Sequence, residues 1–269
     1  MIKRGFHISL IVFLVVLTSC GQYQKIQKSK DNELKYKSAV SYYEEGKYYR
    51  AISLFEDLKA VYKGTDKDEK IHYYVGNSYY IQRDYMLASY YFDEYAKNFP
   101  FSNRIEEIKF LSAYCYYLDS PKYTLDQANT ILAMAKLQTF INEFPNSERM
   151  AECNKLVDDL RKKLEKKAFE IAMLYYKISD YQAAAVALDE VLKKFPETSY
   201  REEIMFHILK SNYIFASNSI QEMQTVRYET VLRAYESLVK QYPESKYLNE
   251  AENIYKKSIQ FKKFENNGL

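Results

Sequence analysis

One short motif occurs four times in this chain: "FPFS" (99–102), "FPNS" (144–147), "FPET" (195–198) and "YPES" (242–245). Four of the five prolines lie in these copies, each behind an aromatic ring and two residues ahead of a hydroxyl. Proline has no N–H to donate and disfavours helical geometry in the residue before it, so each copy is expected to end a helix, and Ser102, Ser147, Thr198 and Ser245 are expected to cap the helix that follows. Pro100, Pro145, Pro196 and Pro243 follow one another at 45, 51 and 47 residues, so a repeating unit must lie behind them.

Counting back from each proline exposes that unit. Ala88, Phe92 and Tyr95 precede Pro100 by 12, 8 and 5 residues. Ala133, Leu137 and Phe140, then Ala184, Leu188 and Val191, then Val231, Tyr235 and Leu238 hold the same offsets from the later prolines. Steps of four and three mark one apolar helix face. A partner helix lies upstream, with Gly76 and Tyr79 placed 12 and 9 residues before Ala88, as Ala172 and Tyr175 are before Ala184. The small residue lets two helices approach closely, and "RDY" (83–85) and "SDY" (179–181) turn the chain between them. An earlier copy without the proline keeps Ala39, Tyr42, "EGKYYRA" (45–51), Phe55 and Leu58.

These landmarks match the tetratricopeptide (TPR) pattern, although its tryptophan is absent throughout. The expected fold is all-α, a TPR solenoid of about five helix-turn-helix units. Repeats are placed at 33–66, 69–102, 105–147, 165–198 and 204–245, with a final helix 246–262 and a tail 263–269. Extra residues are assigned to 118–126, 148–168 and 216–226. Six glycines against 47% hydrophobic residues suit long helices with short loops.

Stacked repeats of this kind bury a continuous core and present one concave face, lined by the first helix of each pair. The candidates on that face are Tyr36 and Tyr43, then Tyr73, Asn77 and Tyr80, then Phe110, Tyr114 and Tyr117, then Phe169, Met173 and Tyr176. For each, core packing is the competing reading. The chain holds 29 tyrosines and no tryptophan, and a row of tyrosines suits an extended peptide, each ring giving large contact area at small entropy cost.

The N-terminus reads as an address. Lys3 and Arg4 precede an apolar stretch from Ile8 to Leu17, which is short for a membrane span, and Thr18 and Ser19 lead into Cys20. A signal peptide is expected over 1–19. Leu17-Thr18-Ser19-Cys20 resembles a bacterial lipobox, which implies a diacylglycerol thioether and an amide-linked acyl chain such as palmitate on Cys20. Three chains make such an anchor effectively permanent. Residues 20–32 read as a lipidated polar tether.

Beyond that lipid no cofactor is expected. Cys115 and Cys153 read as small buried apolar residues rather than a disulfide, and His72 and His207 are too isolated for a metal site. Phosphate-cradle, zinc-hydrolase and serine-nucleophile motifs are absent. The acidic neighbours Glu44-Glu45, Glu106-Glu107, Asp158-Asp159 and Glu202-Glu203 splay apart on a helix, so they read as solvated faces. The net charge is +3, with two positive charges in the leader, so a nucleic-acid partner is disfavoured.

Cys20, the repeats and the recurrent "FPxS" with a charged helix start ("FPFSNRIEEI", "FPNSERMAEC", "FPETSYREEI", "YPESKYLNEA") resemble the BamD family, lipoproteins of the outer-membrane β-barrel assembly machinery. The resemblance implies a non-enzymatic scaffold on the outer membrane, facing the periplasm. Its N-terminal repeats would hold unfolded outer-membrane proteins, and its C-terminal repeats would dock on the periplasmic domains of a BamA-like, barrel-forming partner. It places a docking role near Arg201. The alternatives are a periplasmic lipoprotein scaffold for envelope growth or division, and a glycan-capture lipoprotein, which the missing tryptophans disfavour.

Overall fold

The computed structural model describes residues 21–267, with side chains described as far as Phe261. The expected signal peptide and Cys20 lie outside the described residues. Among the described residues there are twelve helices and no strand. They are α1 (21–27), α2 (Asn32–Glu44), α3 (Tyr48–Tyr62), α4 (Asp66–Ile81), α5 (Tyr85–Asn98), α6 (Ile105–Asp119), α7 (Ala128–Glu143), α8 (Met150–Lys177), α9 (Tyr181–Lys194), α10 (Arg201–Ser217), α11 (Gln221–Gln241) and α12 (Leu248–Asn267). The fold is an all-helical repeat of the tetratricopeptide kind. In the first repeats each helix packs on the next, from α2 on α3 through to α6 on α7.

The chain divides into two compact units, Met1–Pro121 with Asp126–Leu160 and Lys122–Leu125 with Arg161–Leu269. In the first, Ala39, Leu54, Phe55, Leu58, Ile71 and Val75 form a dry core under α2 to α4. Phe110, Leu137, Phe140, Cys153 and Leu160 form another under α6, α7 and the start of α8. In the second, Phe169, Ala172, Leu188, Val191 and Ile204 join α8, α9 and α10, while Leu209, Val231, Leu238 and Ala251 join α10 to α12.

Local rules explain the turns within repeats. Arg83 and Ser179 sit at φ 63° and 65°, left-handed positions that Gly46 fills at 75° in the first repeat. Asp84 and Asp180 then cap α5 and α9, accepting from the N–H groups of Leu87 (3.3 Å) and Ala183 (3.1 Å). At Gly76 a Cβ would lie 2.9 Å from Cδ1 of Phe92, whose ring is fully buried, so glycine is what lets α4 and α5 approach this closely.

The proline turns hold a longer-range device. Ser102 accepts from the N–H of Arg104 (3.0 Å) and donates to Oε1 of Glu69 near the start of α4 (2.6 Å). Ser147 accepts from Arg149 N–H (3.1 Å) and donates to Glu106 (2.5 Å). Thr198 accepts from Tyr200 N–H (3.1 Å) and donates to Glu165. Ser245 accepts from Tyr247 N–H (3.1 Å) and donates to Glu202 (2.6 Å). The hydroxyl was expected to cap the following helix. It closes a tight turn ahead of that helix instead, and neither α6 nor α10 has a side-chain cap of its own. Each turn is thus latched to the first helix of its own repeat.

The same turn contributes a lid. Two residues after the hydroxyl, Arg104 and Arg149 place guanidinium carbons 4.3 and 4.1 Å from the ring centres of Tyr73 and Phe110. Tyr200 and Tyr247 stack on Phe169 and Phe206 at 4.4 and 4.3 Å. Each covered ring lies four residues after the latching glutamate, one helical turn along the same face. The first repeat varies the scheme: Glu33 takes Lys67 and the Tyr62 hydroxyl (3.3 Å), and Lys67 lies over Tyr36 at 4.8 Å.

Three expected boundaries need correction. Residues 21–27 are no free tether, because Tyr23 and Ile26 pack against the first core and the Tyr23 ring meets Tyr42 at 5.8 Å. No helix begins at 165, where the fourth repeat was placed, because α8 is one 28-residue helix that starts at Met150 and carries the extra residues of 148–168 straight into that repeat. The last helix extends to Asn267 rather than 262, which removes most of the expected tail.

Two outcomes follow. Gly76→Val drives a branched side chain into Phe92 and lowers unfolding stability by about 1–3 kcal/mol, read by chemical denaturation. Ser102 and Tyr95 both donate to Glu69 and hold its carboxyl below the usual range. A carboxylate with a depressed folded pKa stabilises above its unfolded pKa of about 4.3, and that contribution disappears as pH falls through the folded value. Thermal melts therefore show Glu69→Gln less stable at neutral pH, with the gap narrowing between about pH 5 and pH 3.

A candidate peptide-binding face on the first unit

Half-buried tyrosines remain on the first helices once the lidded rings are set aside. Phe110 was expected on this face but is 3% exposed, stacked beneath Arg149 and inside the core with Leu137 and Phe140. In the second unit Phe169 and Met173, at 6% and 9%, are corrected in the same way, because Phe169 serves as the platform for Tyr200. Tyr73 lies under Arg104, and Tyr36 is flanked by Phe55, Tyr62 and Lys67. Tyr176, also in the second unit, is half-buried with its ring edge-on to His207 at 5.1 Å.

Tyr43, Asn77, Tyr80, Tyr114 and Tyr117 are left, all partly accessible. They come from α2, α4 and α6, the first helices of three repeats in one unit. Asn77 Nδ2 donates to the Tyr43 hydroxyl at 2.5 Å, and the Tyr43 ring rests on Tyr74 at 4.7 Å. With its oxygen receiving that bond, Tyr43 has its own proton to offer outward. Tyr114 and Tyr117 stack at 5.7 Å, nearly parallel, and Phe110 continues the stack beneath Tyr114 at 5.5 Å. Burial, first among the causes, raises the phenol pKa values of Tyr43, Tyr80 and Tyr117. The hydroxyls therefore stay protonated and serve as donors throughout the neutral range. The face offers flat apolar area with hydroxyl and amide groups between the rings, which suits an extended backbone.

Arg201 is the first residue of α10, in the second unit. Its Nη1 donates to the Pro196 carbonyl (2.8 Å) and its Nε to Gln241 Oε1 (3.1 Å). These bonds tie the proline turn to the end of α11 and leave other guanidinium donors unused by them. A cavity of about 540 Å3 in this unit, missed from sequence, is lined by apolar Leu192, Met205, Ile208 and Ala234 and by the charged Asp189, Glu190, Lys193 and Arg233.

Cys115 and Cys153 are buried and free. Burial pushes the Cys115 thiol up to about 12 and the Cys153 thiol to about 11, so both behave as small apolar groups. Among the described residues no group of three or more His, Cys, Asp or Glu could hold a metal ion, and no helix is long and apolar enough to cross a membrane. Two acidic pairs read from sequence as solvated faces supply latches, through Glu106 and Glu202. The signal was present as Glu-x3-aromatic on a first helix followed by hydroxyl-x-Arg or hydroxyl-x-Tyr in the next turn.

Residues 27–227, about three quarters of the chain, match the model of the family YfiO, described as an outer membrane lipoprotein. The chain belongs to this family. No curated protein sequence matches it. The family match covers most of the first unit, including all the residues of the tyrosine face, and the second unit only as far as residue 227, within α11.

Thiol titration checks the burial of the cysteines. Cys115 and Cys153 should react with a disulfide reagent at neutral pH only as fast as the chain opens, and become fully reactive in denaturant.

Proposed function

We propose that this YfiO-family protein is a non-enzymatic scaffold for β-barrel assembly at the outer membrane, anchored through lipid on Cys20 and facing the periplasm. The observation that carries the reading is the family match to outer membrane lipoproteins over a repeat fold whose partly open surface is aromatic and hydroxyl-bearing. The tyrosine face of the first unit receives an extended segment of an unfolded outer-membrane protein. Stacking rings hold its alternate side chains, while Asn77 and the Tyr43 hydroxyl meet its backbone. The second unit docks on the periplasmic domains of the barrel-forming subunit, and Arg201 presents its remaining donors beside the proline turn. The protein performs no covalent chemistry of its own; it raises the local concentration of substrate beside the machine that folds it.

Affinity purification from detergent-solubilised envelopes tests this directly. The expected main partner is a barrel-assembly protein, and recovery of peptidoglycan enzymes or division proteins alone overturns the reading. In photo-crosslinking to unfolded barrel-protein peptides, Tyr43→Ala with Tyr117→Ala is expected to lower the yield about ten-fold, each lost ring removing roughly 0.7 kcal/mol of contact. Arg201→Glu should leave that crosslink intact and reduce recovery of the barrel subunit.

A further inference from the structure

The N-terminal edge of the first unit holds a polar cavity that the peptide-binding reading does not use. It measures about 300 Å3 and is lined by Gln22 of α1, Lys37 and Ser41 of α2, and Glu45, Lys47 and Arg50 around the start of α3. Three cations thus face one carboxylate. Glu45 is engaged by Lys47 at 2.5 Å and by the Ser41 hydroxyl at 2.8 Å, so the Glu45 and Lys47 charges offset each other and the balance of the lining is basic. The Arg50 guanidinium lies over the rings of Tyr23 and Tyr42, at 5.4 and 5.7 Å, which fixes its plane. Lys37 and Ser38 line the same concavity, and an ammonium group, a hydroxyl and a guanidinium with its five N–H groups are donors suited to a phosphate.

The position of the cavity selects the source of that phosphate. Residues 21–27 are helical and held against the first repeat by the Tyr23–Tyr42 contact and by Gln27 donating to Ser53 at 3.3 Å. Gln22, which lines the cavity, is two residues from Cys20, a chain reach of about 7 Å. Resting on the reading that Cys20 is acylated, the cavity then lies at headgroup depth, with no tether to lift it away. Charge concentrates in the same segment. Residues 21–50 carry seven basic residues against four acidic, in a chain whose total is only +3. Lys25, Lys28 and Lys30 are exposed there.

We propose that this cavity is a headgroup site for an anionic phospholipid. The first repeat is then held on the bilayer by protein–phosphate contacts as well as by the acyl chains, which fixes its orientation where the chains alone would leave it free to swivel. Each basic group near an anionic surface adds to binding, and the effect weakens with salt.

Native mass spectrometry of the mature full-length chain, released from detergent with equimolar phosphatidylglycerol and phosphatidylcholine, tests the site. The expected result is one retained phosphatidylglycerol in clear preference to phosphatidylcholine, with the preference falling about ten-fold in Lys37→Glu. Lys37→Glu leaves the Lys47–Glu45 pair and the Arg50 stack in place, and circular dichroism confirms that it folds. Equal retention of the two lipids, or a preference unchanged in Lys37→Glu, overturns the proposal. So does full displacement of the lipid by millimolar inorganic phosphate, which would make the cavity a soluble-anion site. The same spectra separate the two readings: a mass without acyl chains on Cys20 defeats the anchor, while the lipid preference still reports on the cavity.

Discussion

A hydroxyl and a glutamate, brought together across each repeat that ends in a proline turn, hold that repeat in register. The pairs Ser102–Glu69, Ser147–Glu106, Thr198–Glu165 and Ser245–Glu202 span 33, 41, 33 and 43 residues. Each joins the turn that ends a second helix to the first helix of the same repeat. Proline supplies the break, but a break alone leaves the direction of the next helix open. The hydroxyl fixes it by accepting from its own turn while donating to the carboxylate. Hydrogen bonds to a charged group contribute about 1.5–3 kcal/mol each. At the last two turns the glutamate also accepts a backbone N–H, from Ser199 (3.1 Å) and Lys246 (3.2 Å). The variable repeat length is absorbed elsewhere, in the loop before α7 and in the long α8 and α11.

The latch also decides which aromatic rings remain for binding. One turn beyond each glutamate stands a ring, and the turn that brings the hydroxyl also brings an arginine or tyrosine to cover it. Tyr73, Phe110, Phe169 and Phe206 are consumed in this way. The rings left partly open in the first unit, Tyr43, Tyr80, Tyr114 and Tyr117, lie further along their helices, away from the latched end. The same side-chain chemistry therefore divides by position into core platform and candidate contact surface. Burial keeps the open phenols protonated, so the surface is uncharged and rich in donors, suited to a backbone rather than to a charged side chain.

At the other extreme of the first unit, the segment next to the expected lipid site is built into the fold. Tyr23 and Ile26 make it an added half-repeat, and the Arg50 guanidinium lies over its ring and that of Tyr42.

Much of this was legible in the residues alone. The helix ends, the apolar faces, the close approach at Gly76 and the burial of Cys115 and Cys153 depend on residues within about a dozen positions of one another, where periodicity, proline and side-chain size act directly. Three features were decided only by tertiary structure. Residues 21–27 look polar in sequence, and their two apolar side chains, Tyr23 and Ile26, acquire meaning only once Tyr42 and Arg50 stand opposite them. Phe110 and Tyr114 occupy the same face of α6, and nothing in their own helix says that Arg149, thirty-nine residues after Phe110, will cover one and not the other. The serines of the proline turns resemble helix caps until the glutamates arrive. In each case the deciding partner is distant in sequence, and which polar group meets which is set by the packing of whole helices.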